Sequence, residues 1–274
     1  MKQIHFLTLT LVVLLFSSSA FAQTTIKGQV VDEQGKSVEY VNIGFEEDSI
    51  GVISDVQGYF EITIPANRRD SLSFTHVSYQ PTMVPYDIYS KKSELTVTML
   101  NKVVELNEVV VGKKNRPRTL SGKSWVNVGV VAFIGDNKDN NEYLEWGPIF
   151  KNRKDYLLSD ILLSLKECTF EQCTLSFNIY EIHGNQFVNI LNKPIYRIVS
   201  PADNDKQLDI SPLEDIILKG KQQYCICVSP INTKGNGAIY FSATFKSSFV
   251  RNSVKGKRRK MPICPAIVLK GCEL

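Results

Sequence analysis

The feature that most narrows the folds open to this chain is strict apolar/polar alternation straight after an Asp-x-x-Gly turn, in "SDVQGYFEITIP" (Ser54 to Pro65). Phe60, Ile62 and Ile64 face one way, while Tyr59, Glu61 and Thr63 face the other. That is the period of a strand with one buried side. Asp at the first turn position offers a carboxylate to backbone N–H groups, and Gly at the fourth tolerates positive φ. "DEQG" (Asp32 to Gly35) repeats the device between "TIKGQVV" and "SVEYVNIGF". With "IGVIS", "SLSFTHVSY" and "ELTVTML" following, and no helical periodicity, residues 23–100 are expected to form a small β-sandwich.

Residues 1–22 read as an export signal rather than as part of the fold. Lys2 gives a short positive start, Phe6 to Phe16 is an apolar run, and Ala20-Phe21-Ala22 is a small-x-small cleavage pattern before Gln23. A helix of that length rises only about 16 Å, roughly half of a bilayer core, so cleavage is expected rather than anchoring. No transmembrane segment is expected in what remains. The expected location is the periplasm, the outer membrane or the cell surface.

Beyond the signal, residues 23–100 carry 6 Lys/Arg against 11 Asp/Glu, whereas residues 101–274 carry 25 against 17. The opposite signs mark two units, and the small overall balance argues against a nucleic-acid partner. All six cysteines, Cys168, Cys173, Cys225, Cys227, Cys264 and Cys272, lie in the second unit. An even number in an exported chain permits disulfides, with buried thiols as the alternative. Cys225 and Cys227 point to one face of a strand, so each is expected to meet a different partner, while Cys168 and Cys173 bracket a turn. Their spacing matches no zinc motif, and no metal or other cofactor is expected.

At the residues just quoted, the first unit resembles the carboxypeptidase-like regulatory domain, a transthyretin-like sandwich common in exported Bacteroidetes proteins. Gly28, Val30, Asp32 and Gly35 carry the likeness in the first hairpin, Val41 and Ile43 in the second strand. Gly51, Ser54, Asp55, Gly58, Phe60 and Ile62 form its central part, and Leu72, Phe74 and Tyr79 its last. Ser78 stands where that family usually has glycine. "ELNEVVV" is similar to the segment that joins this domain to a plug and barrel in outer-membrane TonB-dependent receptors. Too little chain follows for such a barrel, so Val103 to Val111 is read as a strand or extended linker leaving the sandwich. The basic "GKKNRPRTLSGK" closes a linker over 101–123.

Residues 124–274 are again strand-patterned, in "WVNVGVVAFI", "CTLSFNIYEI", "KPIYRIVS", "DIILKG", "QQYCICVSPI", "AIYFSATF" and "PAIVLKG". "YLLSDILLSLKE" is leucine-rich but reads as a strand in this context. Phe177, Ile179, Tyr180, Leu191, Pro194 and Ile195 make this part similar to a β-sandwich module that follows the regulatory domain in other Bacteroidetes proteins. The expected fold class is all-β: a regulatory sandwich followed by a larger, jelly-roll-like one.

Chemistry-bearing residues are few. His76 and His183 are followed at the relevant offset by Tyr79 and Gln186, so neither opens the His-x-x-Glu pair of a zinc carboxypeptidase. No G-x-S-x-G elbow is present, and no catalytic residue is expected. "DNKDNNE" (Asp136 to Glu142) lacks the spacing of an EF-hand loop and reads as a polar loop. Trp125, Tyr143 and Trp146 are candidates for a sugar-stacking platform, although core packing is the commoner fate of tryptophan. Lys257, Arg258 and Arg259, within "KGKRRK", are candidates for an anionic ligand, although a solvated loop is the commoner fate of such a run. The resulting expectation is a non-catalytic envelope protein that binds a glycan or another protein, with an accessory role in TonB-dependent transport as the second reading.

Overall fold

The computed structural model describes residues 23–45, 50–65, 67–92, 94–102, 116–122, 128–135, 143–252 and 258–274. Seven strands build the first unit: β1 (Gln23–Asp32), β2 (Asn42–Gly44), β3 (Gly51–Ile53), β4 (Tyr59–Pro65), β5 (Leu72–Thr75), β6 (Thr82–Val84) and β7 (Glu94–Met99). A single helical turn, α1 (Tyr86–Tyr89), precedes β7. The sheets run β4-β1-β7 and β3-β2-β5-β6. Alternation turns Ile26, Phe60, Ile62, Leu95 and Val97 from the first sheet toward Ile43, Leu72 and Phe74 of the second, and these residues share one core.

The two Asp-x-x-Gly turns are built alike. Asp55 Oδ1 accepts the N–H groups of Gln57 (2.9 Å) and Tyr59 (2.8 Å), as Asp32 Oδ1 accepts those of Gln34 (2.9 Å) and Lys36 (2.8 Å). Gly58 has φ +77°, and a Cβ there would sit 2.5 Å from the Val30 carbonyl oxygen. Gly58→Ala should therefore cost about 1–3 kcal/mol, read as a lower urea midpoint. An unchanged midpoint would show that this turn does not hold the hairpin.

The second unit begins with β8 (Arg118–Ser121), β9 (Val130–Gly135), β10 (Leu144–Lys151), β11 (Tyr156–Cys168) and β12 (Gln172–His183). β13 (Gln186–Asn189), β14 (Ile195–Val199), β15 (Gln207–Ile210) and β16 (Ile217–Leu218) follow. The chain ends with β17 (Gln223–Lys234), β18 (Gly237–Asn252), β19 (Arg258–Pro265) and β20 (Ile267–Glu273). Its main path is β13-β12-β17-β10-β18-β11-β20-β8. β11 is a strand, as its context implied. Register shifts at Leu165/Glu167 and Phe245/Ser248 let β11 and β18 bend, so β18 pairs with β9 and β11 in its first half and with β10 and β19 in its second. The sheet thereby folds over a core that includes Leu165, Leu175, Phe177, Ile226, Phe241 and Leu269. The molecule is all-β apart from single turns of helix, and among the described residues no strand of the first unit pairs with one of the second. No described helix is long and apolar enough to cross a membrane.

The central strands are covered on both faces. Trp146 and Phe150 of β10 with Tyr224, Ile226 and Val228 of β17 point into the main core. The alternate residues Ile149, Cys225 and Cys227 point outward, where Tyr180, Ile182, Phe187 and Phe249 form a second, smaller apolar cluster. Burial on both faces explains why "YCICVSP" reads as a nearly continuous apolar run.

The six cysteines correct the disulfide expectation, for all are free thiols and five are buried. Pairing gives the reason. Cys225 stands opposite Ile149 and Tyr180, Cys227 opposite Asn178, Cys173 opposite Val199 and Thr233, and Cys168 opposite Ile239. Cys264 faces Thr244 and Cys272 faces Leu157. No cysteine lies across a ladder from another. Cys225 and Cys227 do share a face, but each other's sulfur, 3.5 Å away, is what they meet.

Candidate functional site

On the outer face of β4-β1-β7 lies an open groove of about 710 Å³. Period-2 alternation puts Lys27 and Gln29 on its floor, Tyr59 and Glu61 along one wall, and Glu94 and Thr96 along the other. Tyr59 is 55% exposed, which is unusual for an aromatic ring on a sheet. Lys27 is paired with Glu61 at 2.9 Å, and Gln29 donates to Ser37 Oγ (3.1 Å) and the Gln57 carbonyl (3.0 Å). Counting Asp55, Glu61 and Glu94 against Lys27, the lining carries a net negative charge. An exposed ring between carboxylates and an amide offers a stacking face flanked by hydrogen-bond acceptors, and its charge repels anions.

A second, smaller cavity of about 40 Å³ lies in the seam between the units. Tyr40, Asn42 and His76 line it from the first unit, and Ser176, Asn178, Tyr196 and Ser229 from the second. Tyr40 meets Tyr196 edge-on at 5.1 Å, and Asn232 Nδ2 lies 3.4 Å from the Tyr40 hydroxyl. Burial holds the Tyr196 phenol far above its ordinary range, with Glu39 and Tyr40 adding to the shift.

Asn178 links the seam to the small outer cluster. It donates to Glu145 Oε2 at 3.1 Å, and Tyr180 donates its hydroxyl to both Glu145 oxygens at 2.9 and 3.1 Å. Arg251 Nη1 forms an ion pair with Glu145 at 3.0 Å, and its guanidinium lies over the Tyr180 ring, 4.5 Å from the centroid. Glu145 is fully buried. Neither Glu145 nor Arg251 stood out in the sequence as a site. The available signal for Glu145 was a lone charge inside the apolar run "YLEWGPIF"; "SSFVRN" carries none as clear for Arg251.

The sequence-derived candidates do not converge. Trp146 is no sugar platform. Its ring packs against the main core, and Nε1 donates to Ser248 Oγ (3.2 Å) and the Ile263 carbonyl (3.0 Å), because it shares the inward parity of Phe150. Tyr143 is partly buried just ahead of β10. Arg258 and Arg259 are exposed on β19, where Arg258 lies over the Phe187 ring at 4.8 Å. Charges in that row keep an edge strand from pairing with another chain. Trp125, Lys257, Asp136 to Glu142 and Val103 to Val111 lie outside the described residues.

His183 sits at the β12–β13 turn with Nε2 3.6 Å from Glu181. The Cys227 thiol is pushed up by the hydrogen bond from Cys225 and by burial, and burial raises Cys264 to about 12, so both stay protonated and weakly nucleophilic. Among the described residues no group of three or more His, Cys, Asp or Glu stands where it could hold a metal ion.

Comparison with known proteins adds one firm point. Residues 26–111 match the CarboxypepD_reg-like domain family, reaching past residue 100, where the strand pattern ended the unit. No curated protein matches the sequence. A solved structure from work on carbohydrate-binding modules of the beta-sandwich super family is 11% identical, with 81% of this chain and 96% of that chain covered, at a TM-score of 0.22. The infectious bursal disease virus VP2 subviral particle is 9% identical over 91% of this chain and 78% of that one, at 0.21. The same virus's Gx strain is 10% identical over 92% and 76%, at 0.23. Likenesses this distant carry no argument. The match over residues 26–111 and the sandwich described up to residue 102 are consistent with a CarboxypepD_reg-like domain at this end of the sequence.

Proposed function

We propose that this protein is an exported, non-catalytic recognition module of the cell envelope that takes a neutral, hydroxyl-rich ligand of the glycan class. The observation that carries this reading is the open groove over β1, β4 and β7, with Tyr59 exposed beside Gln29, Glu61 and Glu94. Pyranose C–H groups fit an aromatic face, and carboxylate and amide oxygens accept sugar hydroxyls. A net negative lining disfavours sulfated or uronic-acid glycans. The export signal read in residues 1–22 supports the envelope location. The absence of turnover is supported by the engagement of His76 Nδ1 with the Ser78 N–H at 3.2 Å and by thiols held protonated in burial.

A glycan array probed with the purified protein tests this reading. Neutral oligosaccharides should be retained and anionic ones rejected, and Tyr59→Ala should weaken retention at least about tenfold, a typical loss for one stacking face. Tyr59 is exposed, so the substitution leaves the unfolding midpoint nearly unchanged. Retention that ignores Tyr59 would refute the groove as the site.

A further inference from the structure

The seam between the two sandwiches contains an imidazole whose chemistry the recognition reading does not use. His76 follows β5 and accepts the Ser78 N–H at Nδ1, 3.2 Å away, which fixes the neutral tautomer with its proton on Nε2. Nε2 is sealed from solvent and has no hydrogen-bond partner, although the residue as a whole is only half-buried. It belongs to the lining of the roughly 40 Å³ seam cavity, whose other polar groups (Tyr40, Asn42, Ser176, Asn178, Tyr196 and Ser229) are all neutral.

A second proton on this ring does two kinds of damage at once. It places an N–H where Nδ1 accepted the Ser78 amide, turning that hydrogen bond into a donor–donor clash. It also puts a full positive charge in a seam with no counter-charge at hand. Among the described residues no carboxylate acts on His76. Asp32 Oδ1 accepts the Gln34 and Lys36 N–H groups, and its charge reaches Tyr79, whose ring is tilted against His76 at 5.3 Å. Glu39, beside Tyr40, raises the Tyr196 pKa. Glu145, behind Asn178, is held by Arg251 and Tyr180. Burial, with no charge to offset it, lowers the His76 pKa to about 4.

The contacts across the seam include the edge-on Tyr40–Tyr196 pair, the long Asn232–Tyr40 contact, and Val77 resting against the second unit's core. Small, partly polar contacts between units of one chain permit relative motion.

We propose that His76 is an acid-operated latch: its protonation undocks the two sandwiches while each stays folded. The sign follows from the lowered pKa. Docking keeps its full strength above about pH 6.5, the free imidazole value, and loses it as pH falls toward about 4. At about pH 5 the docking equilibrium shifts toward the open form by up to about 30-fold, the limit in which the seam supplies all of the ring's burial.

Small-angle scattering of the purified full chain at about pH 7.5 and pH 5, beside far-UV circular dichroism, reads this directly. The expected result is a larger radius of gyration at the lower pH with strand content unchanged. His76→Asn should keep the neutral-pH dimensions and lose the acid response, since its Oδ1 takes the place of Nδ1 in accepting the Ser78 amide and never charges. His183→Gln should respond like the parent chain. A parent chain of constant size, or a His76→Asn variant that expands with it, overturns the proposal. Should His76→Asn be open at every pH, the parent's His76 ring signals decide by NMR. A midpoint below about pH 5 that moves with the Tyr40 and Tyr196 signals supports the latch, and one near pH 6.5 with those signals unmoved overturns it.

Discussion

Glu145→Ala should lower the free energy of unfolding by about 3–5 kcal/mol, among the largest effects of any single polar substitution in the chain. The carboxylate is fully buried, pairs in charge with Arg251, and accepts hydrogen bonds from Tyr180 and Asn178. Removing it leaves a cation over the Tyr180 ring without its counter-charge and a phenol and an amide without their acceptor. Desolvation of these stranded groups, more than loss of the attraction itself, sets the size. Arg251→Met in the same background separates the two. If stranded charge dominates, the double variant Glu145→Leu/Arg251→Met should recover most of the lost stability. Denaturant unfolding of all three variants measures this, and a Glu145→Ala midpoint equal to the parent's would remove the network from the account.

The second large effect is expected two residues along the same strand. A Cβ on Gly147 would lie 1.6 Å from the Ile226 carbonyl oxygen and 2.9 Å from the Cys227 Cα, both backbone atoms of β17. No rotamer relieves that clash, so Gly147→Ala must push β10 away from β17. The move opens the main core at Trp146 and Phe150 and the outer cluster at Cys225 together. The cost should reach about 3 kcal/mol or more, seen as insoluble expression or a collapsed thermal midpoint. A soluble variant with the parent's midpoint would mean the strands are not in the described register.

Legibility in the sequence divides by range. The Asp32 and Asp55 turns and the strand runs were readable because each is settled within a few residues, by a carboxylate, a glycine and period-2 alternation. Of the two expectations for the six cysteines, disulfides or buried thiols, the choice between them needed neighbours, and the buried thiols are what the structure shows. Parity correctly put Cys225 and Cys227 on one face, but only the pairing with β10 and β12 shows Ile149, Tyr180 and Asn178 opposite them. Trp146 took the core-packing alternative, which its shared parity with Phe150 already pointed to. The Glu145–Arg251 pair joins residues more than a hundred positions apart, and the seam around His76 joins two units. Long-range placement of that kind leaves only a faint local trace, a charge or an imidazole where alternation calls for an apolar residue. Tyr59 left the opposite trace, an aromatic ring on the polar side of the alternation in "YFEITIP".

Amide-shift mapping of the full chain, titrated with a neutral oligosaccharide retained on the array, tests recognition without turnover most directly. The account predicts shifts at Lys27, Gln29, Tyr59 and Glu94 that saturate, with the sugar recovered intact afterwards. Shifts that bypass β1, β4 and β7, or a sugar recovered cleaved, would contradict it.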